Sequence, residues 1–207
     1  NMNLDLDITD FAAVGFKGVI DVVDAVGGVW IDVDSAELEH INNYQISISE
    51  NLKTNYTPVT KTGLQLLDGL QATAYCRIRY TKGDDFKRTE RQREVLETIA
   101  KKAKTMSVSQ LDEIVKTVFP MCATNMTVDQ LLAIAADGLS YNIVGTSGFP
   151  FDVVTDSVGS AGSRVVAVDM EKNVSQLHKY LYDAENYQPS ETVVKISDKI
   201  KNDTGIY

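Results

Sequence analysis

The sequence has few of the residues that build metal centres and disulfide frameworks. Its 207 residues include only two cysteines, Cys76 and Cys122, and two histidines, His40 and His178. Their spacing matches neither a zinc site nor a redox pair. Because Cys76 lies in an apolar run, we expect free thiols rather than a disulfide.

Long apolar runs and an excess of positive charge are also lacking. No run approaches the roughly 20 apolar residues that span a bilayer. The net charge of −9 argues against nucleic acid as a partner. Residues 77–104 nevertheless carry ten of the twenty Lys and Arg residues and only five of the twenty-nine acidic residues. One basic segment in an acidic chain is the pattern expected of a local anion site.

Hydrophobic periodicity predicts a layered α/β fold. Asn3–Ile8 alternates like a half-buried strand, Phe11–Ala25 reads as a helix, and Val29–Val33 reads as the next strand. Beyond these, the pattern predicts a polar surface excursion at 34–62, a short helix at 66–74, a strand at 75–80, helices at 86–104, 109–119 and 127–139, strands at 143–150 and 164–169, and a final helix after Asp169.

Two arginines stand out in the strand predicted at 75–80. Arg77 and Arg79 are two residues apart, so a strand would place both on the same face. Like charges on one face repel each other unless an anion lies beside them. An internal carboxylate or a ligand phosphate would satisfy them. The arginine fork suits phosphate because it bonds two oxygens at once and stays charged.

The helix predicted at 86–104 supplies further polar groups. At 100° per residue, Arg88 and Gln92 share a stripe with Val95, so we expect both to point inward. An inward arginine needs a partner, and the open amides of the first helical turn also favour an anion. We assign Arg91 and Arg93 to the solvated face, where neighbouring glutamates give them a structural role.

Several segments, taken together, resemble a known family. They are Gly63–Ala72, Ala74–Arg79 and Asp84–Gln92, with Phe16–Asp21, Ala25–Val29, Asp169–Val174 and Leu177–Tyr182 in matching order. The chain resembles the LytR–CpsA–Psr family over most of its length. This resemblance implies an α/β domain, a central mixed sheet flanked by helices in three layers, at residues 1–183, with a C-terminal tail at 184–207.

The resemblance also implies an activity. Members are phosphotransferases that attach cell-wall glycopolymers of the teichoic acid or capsule type, carried on polyprenyl pyrophosphate, to peptidoglycan with the help of Mg²⁺. They lie on the extracellular face of the bacterial cytoplasmic membrane, held by an N-terminal anchor. The family's catalytic and pyrophosphate-binding positions fall on Arg77, Arg79 and Arg88, and a further pyrophosphate-binding position falls on Gln92.

The front of the chain departs from the family pattern. The Asp-Arg motif that supplies the family's metal-binding carboxylates has no counterpart in residues 1–60. We therefore expect a domain that lacks its N-terminal portion, with the Mg²⁺ ligands upstream and no metal ligand assigned in this chain. Such a fragment would be incomplete and inactive. The alternative is a non-catalytic module that binds polyprenyl phosphate.

Four aspartates near these segments could be mistaken for metal ligands, but we expect other roles for them. Asp5 and Asp7 form the outward side of the first predicted strand and are not expected to be ligands. For Asp84 and Asp85 we expect ion pairs with the neighbouring arginines rather than metal binding.

Overall fold

A computed structural model of the chain describes residues 1–79, 84–138, 140–157 and 162–207. Contacts divide it into two compact units. Residues 10–146 form the larger unit, and residues 1–9 with 147–207 form the smaller unit. Helices and short strands alternate in both, which confirms the predicted α/β class. Among the helices in the described ranges, none is both long and apolar enough to cross a bilayer.

The larger unit carries most of the secondary structure. Its elements are β1 (Ala12–Val14), α1 (Phe16–Ala25), β2 (Val29–Val33), α2 (Ser35–Leu52), β3 (Gly63–Leu67), α3 (Gly69–Tyr75), α4 (Asp84–Ala103), α5 (Val108–Val118), β4 (Cys122–Thr124) and α6 (Val128–Gly138). β2 pairs antiparallel with β3, and β1 pairs antiparallel with β4. The core lies where one face of the β2–β3 ladder meets α1, α2, α3 and α4.

The predicted stop after the first helix and the strand that follows it are confirmed. Gly28 adopts φ +79°, and a Cβ there would lie 2.7 Å from the carbonyl oxygen of Leu67. Only glycine fits this turn and this close approach. The chain then enters β2, where Val29, Ile31 and Val33 are fully buried and the two residues between them face out.

The polar excursion predicted at 34–62 is wrong over residues 35–52, because these residues form α2. Asp34 and Glu37 cap this helix reciprocally, each side chain accepting the backbone N–H of the other. Ile41 and Ile48 lie on its buried face. A helical hydrophobic spacing was therefore present, but the surrounding polar residues obscured it.

The N-terminal predictions are also corrected. Asn3–Ile8 is not a strand: Leu4 and Leu6 both donate to the carbonyl oxygen of Asn1, and Asp5 has φ 50°. The left-handed backbone conformation of Asp5 turns the chain, so this segment cannot continue as an extended strand. The helix predicted from Phe11 begins at Phe16 instead, because residues 12–14 are paired with β4.

The smaller unit holds β5 (Val153–Ser157), β6 (Ser163–Ala167), α7 (Met170–Tyr182) and α8 (Glu191–Thr204). β5 and β6 pair antiparallel. The strand predicted at 164–169 and the helix after Asp169, whose carboxylate accepts the N–H of Lys172, are confirmed. The strand predicted at 143–150 is wrong: Val144 is almost fully exposed and residues 141–148 have no regular structure.

A regular helix, α8, lies within the segment assigned to a C-terminal tail at 184–207. It packs on α7 around Val174 and Val193, both of which are fully buried. The boundary between a domain at 1–183 and a tail at 184–207 stays a prediction.

Candidate functional site

The arginines predicted to bind an anion lie around the junction between α3 and α4. Asp68 starts α3 through a capping box with Gln71, whose side chain accepts the Asp68 N–H in return. Every residue of α3 is buried. A rigid, buried helix therefore leads directly into Arg77 and Arg79.

The strand predicted at 75–80 is wrong over residues 75–79, and Tyr80 lies outside the described residues. The backbone N–H groups of Arg77 and Ile78 donate to the carbonyl oxygens of Ala74 and Tyr75, at 3.0 and 3.2 Å. These bonds continue the turn of α3 and leave no donors for a ladder. Because the backbone is coiled, Arg77 and Arg79 do not share a face as a strand would require.

Arg77 lies close to two aromatic rings. Its Cζ is 4.7 Å from the ring centroid of Phe16 and 5.0 Å from that of Tyr44. Both distances fall within the roughly 6 Å over which a ring face attracts a cation. Neither aromatic residue was singled out in the sequence, because they are far apart along the chain and α2, which carries Tyr44, was not predicted.

Arg79 and Arg88 converge on the carboxylate of Asp85. Arg79 donates from Nε and Nη2 to Asp85 Oδ1, each at 2.9 Å, and Arg88 Nη1 lies 2.9 Å from the same oxygen. The expected ion pair between Asp85 and its neighbouring arginines is confirmed. The side chains of Arg79 and Asp85 are 50% exposed and that of Arg88 is 28% exposed, so this cluster is open to solvent. The side chain of Asp84 lies outside the described part of the structure.

Gln92 links the two helices but does not point inward. Its Nε2 donates to the carbonyl oxygen of Cys76 at 3.3 Å, and the residue is exposed. The carbonyl just beyond α3 would otherwise lack an intrahelical partner. The predicted inward position of Gln92 is therefore wrong. Its side chain still lies next to the segment that carries Arg77, because Cys76 precedes Arg77 in the chain.

Arg91 occupies the inward position instead. It is 4% exposed, and its Nε donates to Glu37 Oε1 at 2.7 Å. Its Nη1 also donates to the carbonyl oxygen of Ile78 at 3.3 Å. The assignment to the solvated face is wrong, because the buried stripe of α4 runs through Arg88, Arg91 and Val95. The contacts of Arg91 are those of a structural residue, which agrees with the role predicted for it.

Two further groups at the end of α3 are held in their neutral forms. Burial, reinforced by the hydrogen bond that its hydroxyl donates to Glu94, raises the pKa of Tyr75. Burial and the nearby charge of Glu94 raise the pKa of the Cys76 thiol to about 12. At neutral pH Cys76 is therefore a protonated thiol and not a nucleophile. Cys76 and Cys122 are both free, as predicted.

The described residues do not fit a magnesium site. No group of three or more His, Cys, Asp or Glu side chains in the described ranges is placed to hold a metal ion. Asp85 already pairs with two arginines, and the net positive charge of these three groups disfavours a cation there. In the smaller unit, Asp5 accepts from the backbone N–H and hydroxyl of Ser190, so it is not a free ligand either.

Comparisons with known proteins place this arrangement in context. The LytR_cpsA_psr family model matches residues 1–179. A polyisoprenyl-teichoic acid–peptidoglycan teichoic acid transferase TagU of Enterococcus faecalis is 32% identical over 136 residues, 65% of this chain and 40% of the relative. Biofilm regulatory protein A of Streptococcus mutans is 32% identical over 127 residues, 60% of this chain and 29% of the relative. The chain thus spans less than half the length of these relatives.

A solved structure shows the same fold. A protein of Enterococcus faecalis titled a transcriptional regulator aligns with 99% of this chain and 69% of its own, with a TM-score of 0.66 and 21% identity. At this identity the likeness concerns the fold alone. With the family model matching 179 of 207 residues, the conclusion is direct: this chain belongs to the LytR–CpsA–Psr family.

Proposed function

We propose that this chain forms the pyrophosphate-binding part of a transferase that attaches a polyprenyl-pyrophosphate-linked cell-wall glycopolymer, of the teichoic acid or capsule type, to peptidoglycan. The observation that carries the proposal is the position of Arg77, Arg79 and Arg88 around the junction between α3 and α4 in a member of this family. The name of the teichoic acid transferase in Enterococcus faecalis supports the substrate class.

The chemistry assigned to the arginines is charge stabilisation. A hydroxyl of a peptidoglycan sugar attacks the phosphorus that bears the glycopolymer and loses its proton. A phosphodiester bond forms, the bond from that phosphorus to the bridging oxygen of the pyrophosphate breaks, and polyprenyl phosphate leaves with the bridging oxygen. The proton of the hydroxyl passes to water. Arg77, Arg79 and Arg88 would bind the pyrophosphate and stabilise the negative charge that develops on the leaving phosphate, and Gln92 would add an amide donor.

The setting of this reaction belongs to the same proposal. A polyprenyl-linked donor and a peptidoglycan acceptor would be encountered at the extracellular face of the bacterial cytoplasmic membrane, where a membrane anchor would hold the protein. Mg²⁺ would neutralise the pyrophosphate, but the described residues supply no ligand set for it, so no step is derived through the metal.

Binding of inorganic pyrophosphate tests the site directly. We expect titration calorimetry to detect binding that weakens as salt concentration rises, since the interaction is ionic. Arg77→Ala and Arg88→Ala should each weaken binding by about tenfold or more, because each removes a charge-assisted pair of hydrogen bonds. In a protein that carries the whole domain, the same substitutions should abolish polymer transfer while the fold is retained.

Arg93→Ala is the matched control, since Arg93 also lies on α4 but takes no part in the cluster around Asp85. It should bind pyrophosphate like the wild-type chain. Normal transfer by both the Arg77 and the Arg88 variants would refute the assignment.

A second candidate is a non-catalytic module that binds polyprenyl phosphate. Its support is the arginine cluster itself, since charge and hydrogen-bond donors are enough to bind a phosphate without any reaction. The two functions differ in turnover: a transferase that carries the whole domain consumes its donor, whereas a binding module retains it unchanged.

A further inference from the structure

The two rings beside Arg77 come from separate parts of the larger unit. Phe16 is the first residue of α1, and Tyr44 lies near the middle of α2. Phe16 is 51% exposed. About half of this large apolar residue therefore stays in water, and burial alone does not account for its position beside the guanidinium of Arg77.

Contact with aromatic rings holds a guanidinium without using its hydrogen bonds. The five N–H donors of arginine lie in the plane of the group, and ring faces attract the cation electrostatically. A ring stacked over the guanidinium thus fixes its position and leaves its edge available. That edge is the part of arginine that bonds two oxygens of a phosphate.

Arg77 differs in this respect from Arg79 and Arg88. Those two already donate to Asp85 at 2.9 Å. No carboxylate whose side chain is described, within residues 1–79, 85–138, 140–157 and 162–207, forms an ion pair with Arg77. The rings stabilise its charge but do not neutralise it, so among the three arginines assigned to the site Arg77 is the one with donors ready for an external anion.

We propose that Phe16 and Tyr44 are positioning residues that hold the guanidinium edge of Arg77 toward the phosphate of the ligand. This inference deepens the proposed function and rests on it. Phe16 and Tyr44 act through Arg77 and need not touch the ligand themselves.

Titration with inorganic pyrophosphate provides the first test. Phe16→Leu and Tyr44→Leu should each weaken binding about fivefold, the effect of losing one cation–π contact. Tyr44→Phe should bind like the wild type, because the ring is kept and only the hydroxyl is lost. In an Arg77→Ala background, Phe16→Leu should have no further effect. Phe119→Leu, at a phenylalanine that is 38% exposed in the same unit, is the matched control.

Side-chain dynamics provide a second test that needs no ligand. In the free protein, the ¹⁵N order parameter of Arg77 Nε should be high and should fall in Phe16→Leu and Tyr44→Leu, but not in Tyr44→Phe or Phe119→Leu. Urea unfolding of each variant separates this local loosening from a loss of global stability.

The outcomes separate the two proposals. If Arg77→Ala weakens pyrophosphate binding but the leucine variants do not, or if Arg77 Nε stays ordered in them, the positioning role is overturned and the pyrophosphate site stands. If the wild-type chain binds no pyrophosphate, or if Arg77→Ala binds it normally, both proposals are overturned.

Discussion

Two ion-pair clusters lie within a few residues of each other on α4, and they differ in solvent exposure. The pair between Arg91 and Glu37 is 4% and 7% exposed, whereas the side chains of Arg79 and Asp85 are 50% exposed. Arg91 is fixed from two sides, by Glu37 and by the carbonyl oxygen of Ile78. The outer cluster has one carboxylate for two arginines.

This difference separates structural arginines from binding arginines in one sequence motif. A buried pair is held in a single geometry, and breaking it leaves an uncompensated charge in the interior. An exposed pair contributes little to stability because water and salt screen it, so its members can exchange partners at small cost. The buried pair therefore fixes α4 against α2, and the exposed arginines remain able to accept a ligand.

The largest expected effect comes from breaking the buried pair. Arg91→Met leaves the Glu37 carboxylate without its partner in the interior, and we expect the free energy of unfolding to fall by about 3–5 kcal/mol. Urea denaturation measures this change. Adding Glu37→Gln should recover part of the loss, because the buried charge is removed. A loss below about 1 kcal/mol for Arg91→Met would contradict the structural role.

A smaller effect on stability is expected from the thiol of Cys76, which is largely shielded from water, as the pair of Arg91 and Glu37 is. Burial raises the pKa of this thiol from 9.0 to about 12, so the folded state binds the proton more tightly than the unfolded state does. The stabilisation is complete below about pH 9 and is lost as pH rises toward 12. Between pH 8 and pH 10, the free energy of unfolding should fall by roughly 1 kcal/mol more in the wild type than in Cys76→Ala.

Cys122→Ala serves as the control for this measurement, since Cys122 is the second free thiol. Cys122→Ala should show the same additional fall in the free energy of unfolding as the wild type. An equal pH dependence in the wild type and in Cys76→Ala would show that burial does not protect the Cys76 thiol.

The smallest stability effect is expected in the exposed cluster. Asp85→Asn removes the charge shared by Arg79 and Arg88, and the free energy of unfolding should change by less than about 1 kcal/mol. Affinity for inorganic pyrophosphate should rise several-fold, because two arginines lose their internal competitor. Denaturation and calorimetry on the same sample measure both quantities. A large loss of stability or a loss of affinity would place Asp85 among the structural residues.

The sequence predicted best where local and tertiary signals agree. α4 was expected at 86–104 and is found at 84–103, because its charged surface and apolar stripe both follow a helical period. β2 was expected and found at 29–33, since glycines punctuate it and alternate residues are apolar. The arginine cluster was located for the same reason: a concentration of basic residues is visible without knowing the fold.

The failures have a common physical cause, which is that burial depends on partners far away in the chain. Arg91 is buried because α2 supplies Glu37, and α2 was missed because its core residues are few among polar ones. The residues after α3 read as a strand, but the turn continues because Arg77 and Ile78 bond back to the helix. The contact between Phe16 and Arg77 likewise depends on the packing of α1 against α3, which the sequence does not reveal.

Glu37 uses its two carboxylate oxygens for different purposes. Oε2 accepts the backbone N–H of Asp34 at the start of α2, while Oε1 accepts Arg91 from α4. The first turn of a helix is normally where fraying begins. In α2, fraying would also release the charge of Arg91 inside the protein, so the start of this helix opens only together with the interior. The bonded amides of Asp34 and Glu37 are thereby expected to exchange their hydrogens as slowly as amides of the core, and not at the rate of a fraying helix end.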